Sequence, residues 1–328
     1  MLNSPPAPDS ITERYTSLMN TLCELSESYY YLGRLDDALR LLALGTQLLD
    51  VKEVTQRNQA KLLIQYGKML ATSIFYNNRG YDKALPTLFQ AKQIAESISD
   101  EWLLADALTL IGQTYYNTKL NIGEGNSNTS LAYFQQALEK REAIHDERGV
   151  SEALFYIGLI YENGDAPDVN KAEEYYTKAL HVADQHNYKL EKSYAVRHLG
   201  FRSLEKDDLD TARKYLSESL TLREEIGIQL LLPLSHVALG DVFYAQKDIL
   251  TAVTHYHKAQ ALAEEMDLKF PIILSLLCIG DSYQSQANLP EAHECFEKAY
   301  AISKESSIKF GIAEATSRIE ALSKTQEN

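Results

Sequence analysis

The sequence predicts an all-α protein, a right-handed α-solenoid of about seven helix-turn-helix repeats followed by a C-terminal capping helix. Three observations predict it. A short pattern centred on a small residue recurs seven times at nearly constant spacing, and a second pattern centred on alanine follows each copy. Both patterns place apolar and small residues three and four apart, the period of a helix.

The first pattern reads LSESYYYLG from Leu25, YGKML from Tyr66, IGQTYY from Ile111, IGLIY from Ile157, LGFRSL from Leu199, LGDVFY from Leu239 and IGDSY from Ile279. Its second residue is glycine in six copies (Gly67, Gly112, Gly158, Gly200, Gly240, Gly280), and Ser26 stands there in the first. Successive copies lie 40 to 46 residues apart. The second pattern, A-x-x-x-[FYL]-x-x-[AGS], appears as Ala38/Leu42/Gly45, Ala84/Leu88/Ala91, Ala172/Tyr176/Ala179, Ala212/Leu216/Ser219, Ala252/Tyr256/Ala259 and Ala292/Phe296/Ala299. The third repeat carries Ser130/Phe134/Ala137 in its place. The chemistry is packing: the small residue lets the second helix approach the first, a large side chain fills the space beside it, and the alanine lets the next hairpin stack. One hairpin cannot bury its apolar face alone, so neighbours must stack.

In chain order, residues 1–10 read as a flexible tail, since Ser4-Pro5-Pro6-Ala7-Pro8 is a poor helix start. Asp9, Ser10 or Thr12 then offers a cap for the first helix. The repeat array covers 11–306, with hairpins at about 12–50, 52–98, 100–146, 149–186, 188–226, 228–266 and 268–306. Three hairpin turns are longer than the rest. They centre on Asn77-Asn78-Arg79-Gly80, on the polar stretch 121–129 and on Asn163 to Asp168, all rich in turn-forming residues. The segment 307–328 reads as a capping helix and a frayed end, its outer face polar through Lys309, Glu314, Arg318 and Glu320.

These patterns resemble the tetratricopeptide-repeat family across roughly residues 12–306, in its forty-residue-period variety. Similar arrays occur in cell-polarity adaptors, bacterial peptide-pheromone receptors and the sensor arms of MalT-like regulators. The resemblance implies a scaffold or adaptor that binds protein or peptide in its concave groove. The alternative it offers is the sensor or regulatory arm of a larger bacterial signalling protein whose cyclase, kinase or transcription-regulator effector lies outside this chain. Two family features are missing. Carboxylate-clamp domains place Lys and Asn on the concave face in successive repeats, and only Lys61 and Lys68 fall there. The adaptors and pheromone receptors often carry Asn two residues before the glycine, where this chain has Glu24 (before Ser26), Gln65, Leu110, Tyr156, His198, Ala238 and Cys278.

Composition narrows the function classes. Of the 328 residues 45% are hydrophobic and 24% charged, the proportions of a globular chain, and the net charge of −14 opposes binding to nucleic acid or to an anionic membrane. No signal pattern or apolar span of membrane length is present, so the expected location is the cytoplasm. Three cysteines are an odd number and suggest reduced thiols. No glycine-rich phosphate loop, nucleophile elbow or dinucleotide fingerprint occurs, and the histidines lack metal-ligand spacing. The sequence therefore predicts no enzyme, no cofactor and no metal site.

A ligand is expected on the face formed by the first helices. Positions six and three before each glycine, and one and four after it, share that face. It is polar in the first three repeats (Asn20, Cys23, Glu27; Lys61, Ile64, Lys68; Asp106, Thr109, Gln113) and turns apolar from the fourth. The candidate groove comprises Phe155, Leu159, Tyr194, Arg197, Phe201, Leu204, Leu234, Val237 and Tyr244 over repeats four to six. Aromatic residues and arginine dominate binding hot spots, which singles out Tyr194, Arg197, Phe201 and Tyr244. Asp241 and Asp281 interrupt the apolar stripe with acid, so the expected partner is an apolar protein or peptide segment of some basic character. Self-association is a further expectation, and the same positions serve equally as packed core.

Overall fold

The computed structural model describes residues 8–326, and every regular element in it is helical. Seven antiparallel hairpins follow one another: α1 (Pro8–Tyr31) with α2 (Leu35–Thr46), α3 (Gln56–Asn77) with α4 (Tyr81–Ser97), and α5 (Glu101–Ile122) with α6 (Ser127–Ala143). Then come α7 (Glu147–Asn163) with α8 (Val169–Gln185), and α9 (Lys189–Glu205) with α10 (Leu209–Glu225). A single 3-10 turn (Gln229–Leu231) leads into α11 (Leu232–Ala245), which pairs with α12 (Ile249–Glu265); α13 (Lys269–Ser285) pairs with α14 (Leu289–Glu305). The final helix, α15 (Lys309–Gln326), packs on α14. The expected tail of ten residues is too long. The first helix already begins at Pro8, since proline is tolerated in a first turn where its missing N–H has no partner to lose, and residues 1–7 lie outside the described residues.

Local chemistry starts and stops these helices. Asp100, Asp146, Asp168, Asp208 and Asp248 each accept a hydrogen bond from the backbone N–H three residues on, satisfying a donor the helix cannot. The tight turns inside the later hairpins pivot on one residue in the left-handed region, Asp207 (φ 60°), Lys247 (φ 67°) or Ala287 (φ 60°). Within each hairpin the small residue does what its position implies. A Cβ added at Gly112 would lie 2.7 Å from the ring of Phe134, and one at Gly158 would lie 2.6 Å from the ring of Tyr176. The alanines of the second pattern, from Ala38 to Ala292, are fully buried between hairpins. Cys23, Cys278 and Cys295 are free thiols.

The capping helix departs from expectation in one respect. Arg318 is not on an outer face; its guanidinium reaches back to α13 and grips Asp281 with both arms, at 2.8 and 3.0 Å.

The curvature of the array returns its start to its end. The rings of Phe75 and Phe270 meet at 5.1 Å between centroids, and the hydroxyl of Tyr76 donates to the carbonyl of Leu230 (3.2 Å). Asn77 accepts from the backbone N–H of Lys269 (2.9 Å). Asn78, itself left-handed at φ 55°, donates to the carbonyls of Ser306 (2.9 Å) and Ser307 (3.0 Å). At Gly33 any side chain would strike Met266 across the same seam. One apolar cluster accordingly runs from Met19, Tyr30 and Leu42 to Leu230, Leu268 and Ile272. The solenoid is thus a closed superhelical turn whose first helices surround an interior. No helix among the described residues is long and apolar enough to cross a membrane.

Candidate functional site

The closure converts the inner faces of the first helices into the walls of a cavity of about 320 Å³, room for about ten waters. Its floor is aromatic. Phe155 of α7 stacks on Tyr194 of α9 at 5.3 Å and meets His198 edge-on at 5.2 Å. Tyr30 of α1 and Tyr76 of α3 on one side of the seam, and Phe270 of α13 on the other, complete the aromatic wall. The aliphatic wall is Leu159, Leu231, Leu234 and Leu274.

Two arginines supply the charge. Arg223 of α10 is 2% exposed. It is held by the Ser235 hydroxyl (2.7 Å), the Ser193 hydroxyl (3.2 Å) and the face of the Tyr194 ring (5.4 Å), none of them anionic. Arg197 lies with its guanidinium 4.6 Å over the ring of Phe201, and its Nε is buried without a hydrogen-bond partner. Neither arginine forms an ion pair among the described residues. Burial, and then the repulsion of Arg197, pushes Arg223 down to about 10, and burial lowers Arg197 as well. At that value Arg223 stays cationic at neutral pH, and a guanidinium is not deprotonated in proteins, so Arg197 carries its charge as well. Taking a charge out of water with no counter-charge beside it costs several kcal/mol.

The nearest carboxylate, Glu162 of α7, is committed elsewhere. Burial would raise it, but His198 Nδ1 (2.9 Å), Arg202 (3.1 Å) and the Tyr176 hydroxyl (2.9 Å) hold it down at about 2. Because a carboxylate can only accept, Nδ1 of His198 carries the proton. Burial also lowers His198, so the ring is neutral and its Nε2 accepts, at 3.4 Å, from Arg197. Besides the Phe201 ring, that long contact is the one hydrogen bond Arg197 makes among the described residues.

A polar chamber of about 250 Å³ adjoins the first, sharing Tyr30, Thr72, Gln113, Tyr156 and Tyr194 as common wall. Its charges are mostly paired: Lys68 with Glu27 (2.8 Å), Arg148 with Glu191 (2.7 Å), and Arg141 between Asp106 and Asp146. Glu152 is the exception; burial and the nearby Glu191 raise it to about 7, against the pull of Arg141.

Of the nine groove candidates, five line the aromatic cavity: Phe155, Leu159, Tyr194, Arg197 and Leu234. The other four do not. Phe201 lies beneath Arg197, and Leu204 packs toward Ala212, Leu216 and Ala238. Val237 is core between Ala252, Tyr256 and Ile279, and Tyr244 covers the same cluster. The stripe spans ten residues, about 2.8 turns at 3.6 residues per turn, so its far end has rotated away from the near end and Leu204 and Tyr244 meet the next hairpin instead. The expected basic partner also needs correction. Asp281 is taken by Arg318, and Asp241 accepts from the Tyr256 hydroxyl (2.9 Å), so the uncompensated charge facing the cavity is positive. Repeats one to three, read as a polar end outside the groove, contribute Tyr30, Phe75, Tyr76 and Tyr116 to its wall. Tyr30 and Tyr116 stand four residues after Ser26 and Gly112, so continuing the stripe through those repeats would have found them. Arg223 sits on a second helix and carried no signal.

Comparison with known proteins agrees with this architecture. The family model for the tetratricopeptide repeat matches residues 273–306, the hairpin of α13 and α14. No curated protein matches the sequence. Among solved structures, the chain is similar to a Rap protein complexed with competence and sporulation factor, at 14% identity and a TM-score of 0.66, covering 92% of this chain and 80% of that one. It is similar to NprR in complex with its cognate peptide NprX (13% identity, TM-score 0.62, 100% and 89% covered). It is also similar to a signal-transduction ATPase with numerous domains and a tetratricopeptide-repeat sensor from Pyrococcus horikoshii (14%, TM-score 0.58, 98% and 50% covered). At these identities the likeness is one of fold.

Proposed function

We propose that this chain is a peptide-binding receptor module that takes its ligand inside the closed superhelical turn and acts by binding, without turnover. The observation that carries the reading is the interior cavity, walled by aromatic residues from helices at both ends of the array and lined by two cations, Arg223 buried and Arg197 half-buried. Ligand pockets of this size are typically concave, mostly apolar and furnished with a few placed polar groups. Two of the similar structures are complexes, one with competence and sporulation factor and one with a cognate peptide, which supports the same reading. The cavity and its polar neighbour together admit an extended segment a few residues long, of apolar character, and a cytoplasmic setting suits the three free thiols.

The likeness to the ATPase sensor, half of whose length this chain spans, supports the second reading, a sensor arm that reports occupancy to an effector. The test is equilibrium dialysis against a pool of randomised free-acid pentapeptides, with bound species identified by mass spectrometry. Wild type and a Leu204→Ala control should retain a common set, and Tyr194→Ala should lose it by about tenfold or more. An empty wild-type chamber, or the same set on Tyr194→Ala, would overturn the proposal.

A further inference from the structure

We infer that Arg197 and Arg223 form a subsite for a carboxylate, and that the ligand of this cavity presents its carboxylate on an aromatic or apolar body. The inference rests on the peptide-receptor reading for the kind of ligand, but its physical basis is local. Two guanidinium groups line one cavity, and neither meets a carboxylate. Arg223 is pinned by neutral oxygens on α9 and α11, so its position is fixed before any ligand arrives. Arg197 keeps a buried N–H donor unused, its charge facing the same space.

The surroundings explain why the missing partner is an anion and not a structural acid. The two carboxylates that act on Arg197 are already engaged, Glu162 by His198 and Arg202 and Asp241 by the Tyr256 hydroxyl. The chain carries 46 acidic residues against 32 basic ones, yet leaves this one enclosed point positive. A planar guanidinium matches a carboxylate with two parallel hydrogen bonds, and a second cation lining the same cavity adds to the electrostatic attraction. The stacked rings of Phe155 and Tyr194 next to the arginines select for an apolar or aromatic body attached to that carboxylate. A peptide C-terminus following an apolar residue, and an acidic side chain within an apolar peptide, both offer this chemistry.

The experiment uses two pools of randomised pentapeptides, one as free acids and one as C-terminal amides. A separate titration uses 3-phenylpropionate and its amide, followed by NMR. Peptides recovered from the acid pool at about tenfold or greater enrichment over the amide pool identify the C-terminus as the source. Equal recovery from both pools, with Asp or Glu in the recovered sequences, identifies the side chain. Equal recovery without acidic residues overturns the subsite and leaves the receptor reading standing. If neither pool binds, the receptor reading fails and the small probes decide the subsite alone. Saturable binding of 3-phenylpropionate, absent for its amide, upholds it; no discrimination between them overturns it. Arg197→Gln should erase the acid-over-amide preference, whereas Arg197→Lys should retain part of it. An unchanged preference in a folded Arg197→Gln variant also overturns the proposal. The Arg197 variants are chosen because Arg223 also ties α9 to α11.

Discussion

At the scale of single residues, the fold depends on atoms that are absent. Gly112 has no Cβ where the ring of Phe134 sits, and Phe134 is fully buried. Alanine at Gly112 gains about 1 kcal/mol of helix propensity, but overpacking a filled core costs about 1–3 kcal/mol. We expect Gly112→Ala to lose up to about 2 kcal/mol net in urea denaturation; an increase in stability would show that the α5–α6 contact has slack. This logic was legible in the sequence, because a small residue followed at fixed distance by a large one leaves a repeating trace. The charge of Arg223 left none. Its neighbours in space, Ser193, Tyr194 and Ser235, are scattered over two other helices, and no spacing along the chain records their meeting.

Among the elements, helix pairing follows directly from the two patterns, and the turns follow from their breaker residues. The contact of α3 with α13 and of the segment before α15 with Asn78 does not, since nothing in the period of one repeat tells how far the stack bends after six more. Small rotations per hairpin accumulate, and they bring Asn77 and Asn78 to Lys269, Ser306 and Ser307. These bonds hold the seam. Asn77→Ala with Asn78→Gly removes the three seam bonds, together with the local bond that the Tyr81 hydroxyl donates to Asn78, while glycine keeps the left-handed turn at position 78. The pair should lose about 1–3 kcal/mol and raise the radius of gyration in X-ray scattering at unchanged helix content. Scattering identical to wild type would mean that the apolar seam of Phe75, Tyr76 and Phe270 closes the turn unaided. The same long reach explains why the cavity was read as a groove of repeats four to six: more than a third of its wall, from Tyr30 to Asn117, arrives from the other side of the seam.

For the molecule as a whole, closure changes how stability is shared. An open solenoid touches only its neighbours and can fray from either end. Here the first and last hairpins lie in one apolar cluster, so neither is a free end. The single tryptophan, Trp102 at the start of α5, reports on the first half of the array, and circular dichroism reports on all of it. In urea the two signals should share one midpoint. In the Asn77→Ala/Asn78→Gly chain they should separate, with the signal of whichever half frays first moving to lower urea. Two separate midpoints in wild type would show that the halves melt independently despite the seam.

The seam also bears on the order in which the chain acquires its shape. Hairpin contacts join residues a few tens apart, whereas Asn78 and the carbonyl of Ser306 are 228 positions apart. Local pairings therefore assemble first, and each stacked hairpin stiffens the arc that the next one extends. By the time the ends come within reach, most of the loop-closure entropy has already been lost to stacking, so the final encounter is a docking of two preformed surfaces rather than a search by a flexible chain. The chamber, with its two cations, comes into being at that last step.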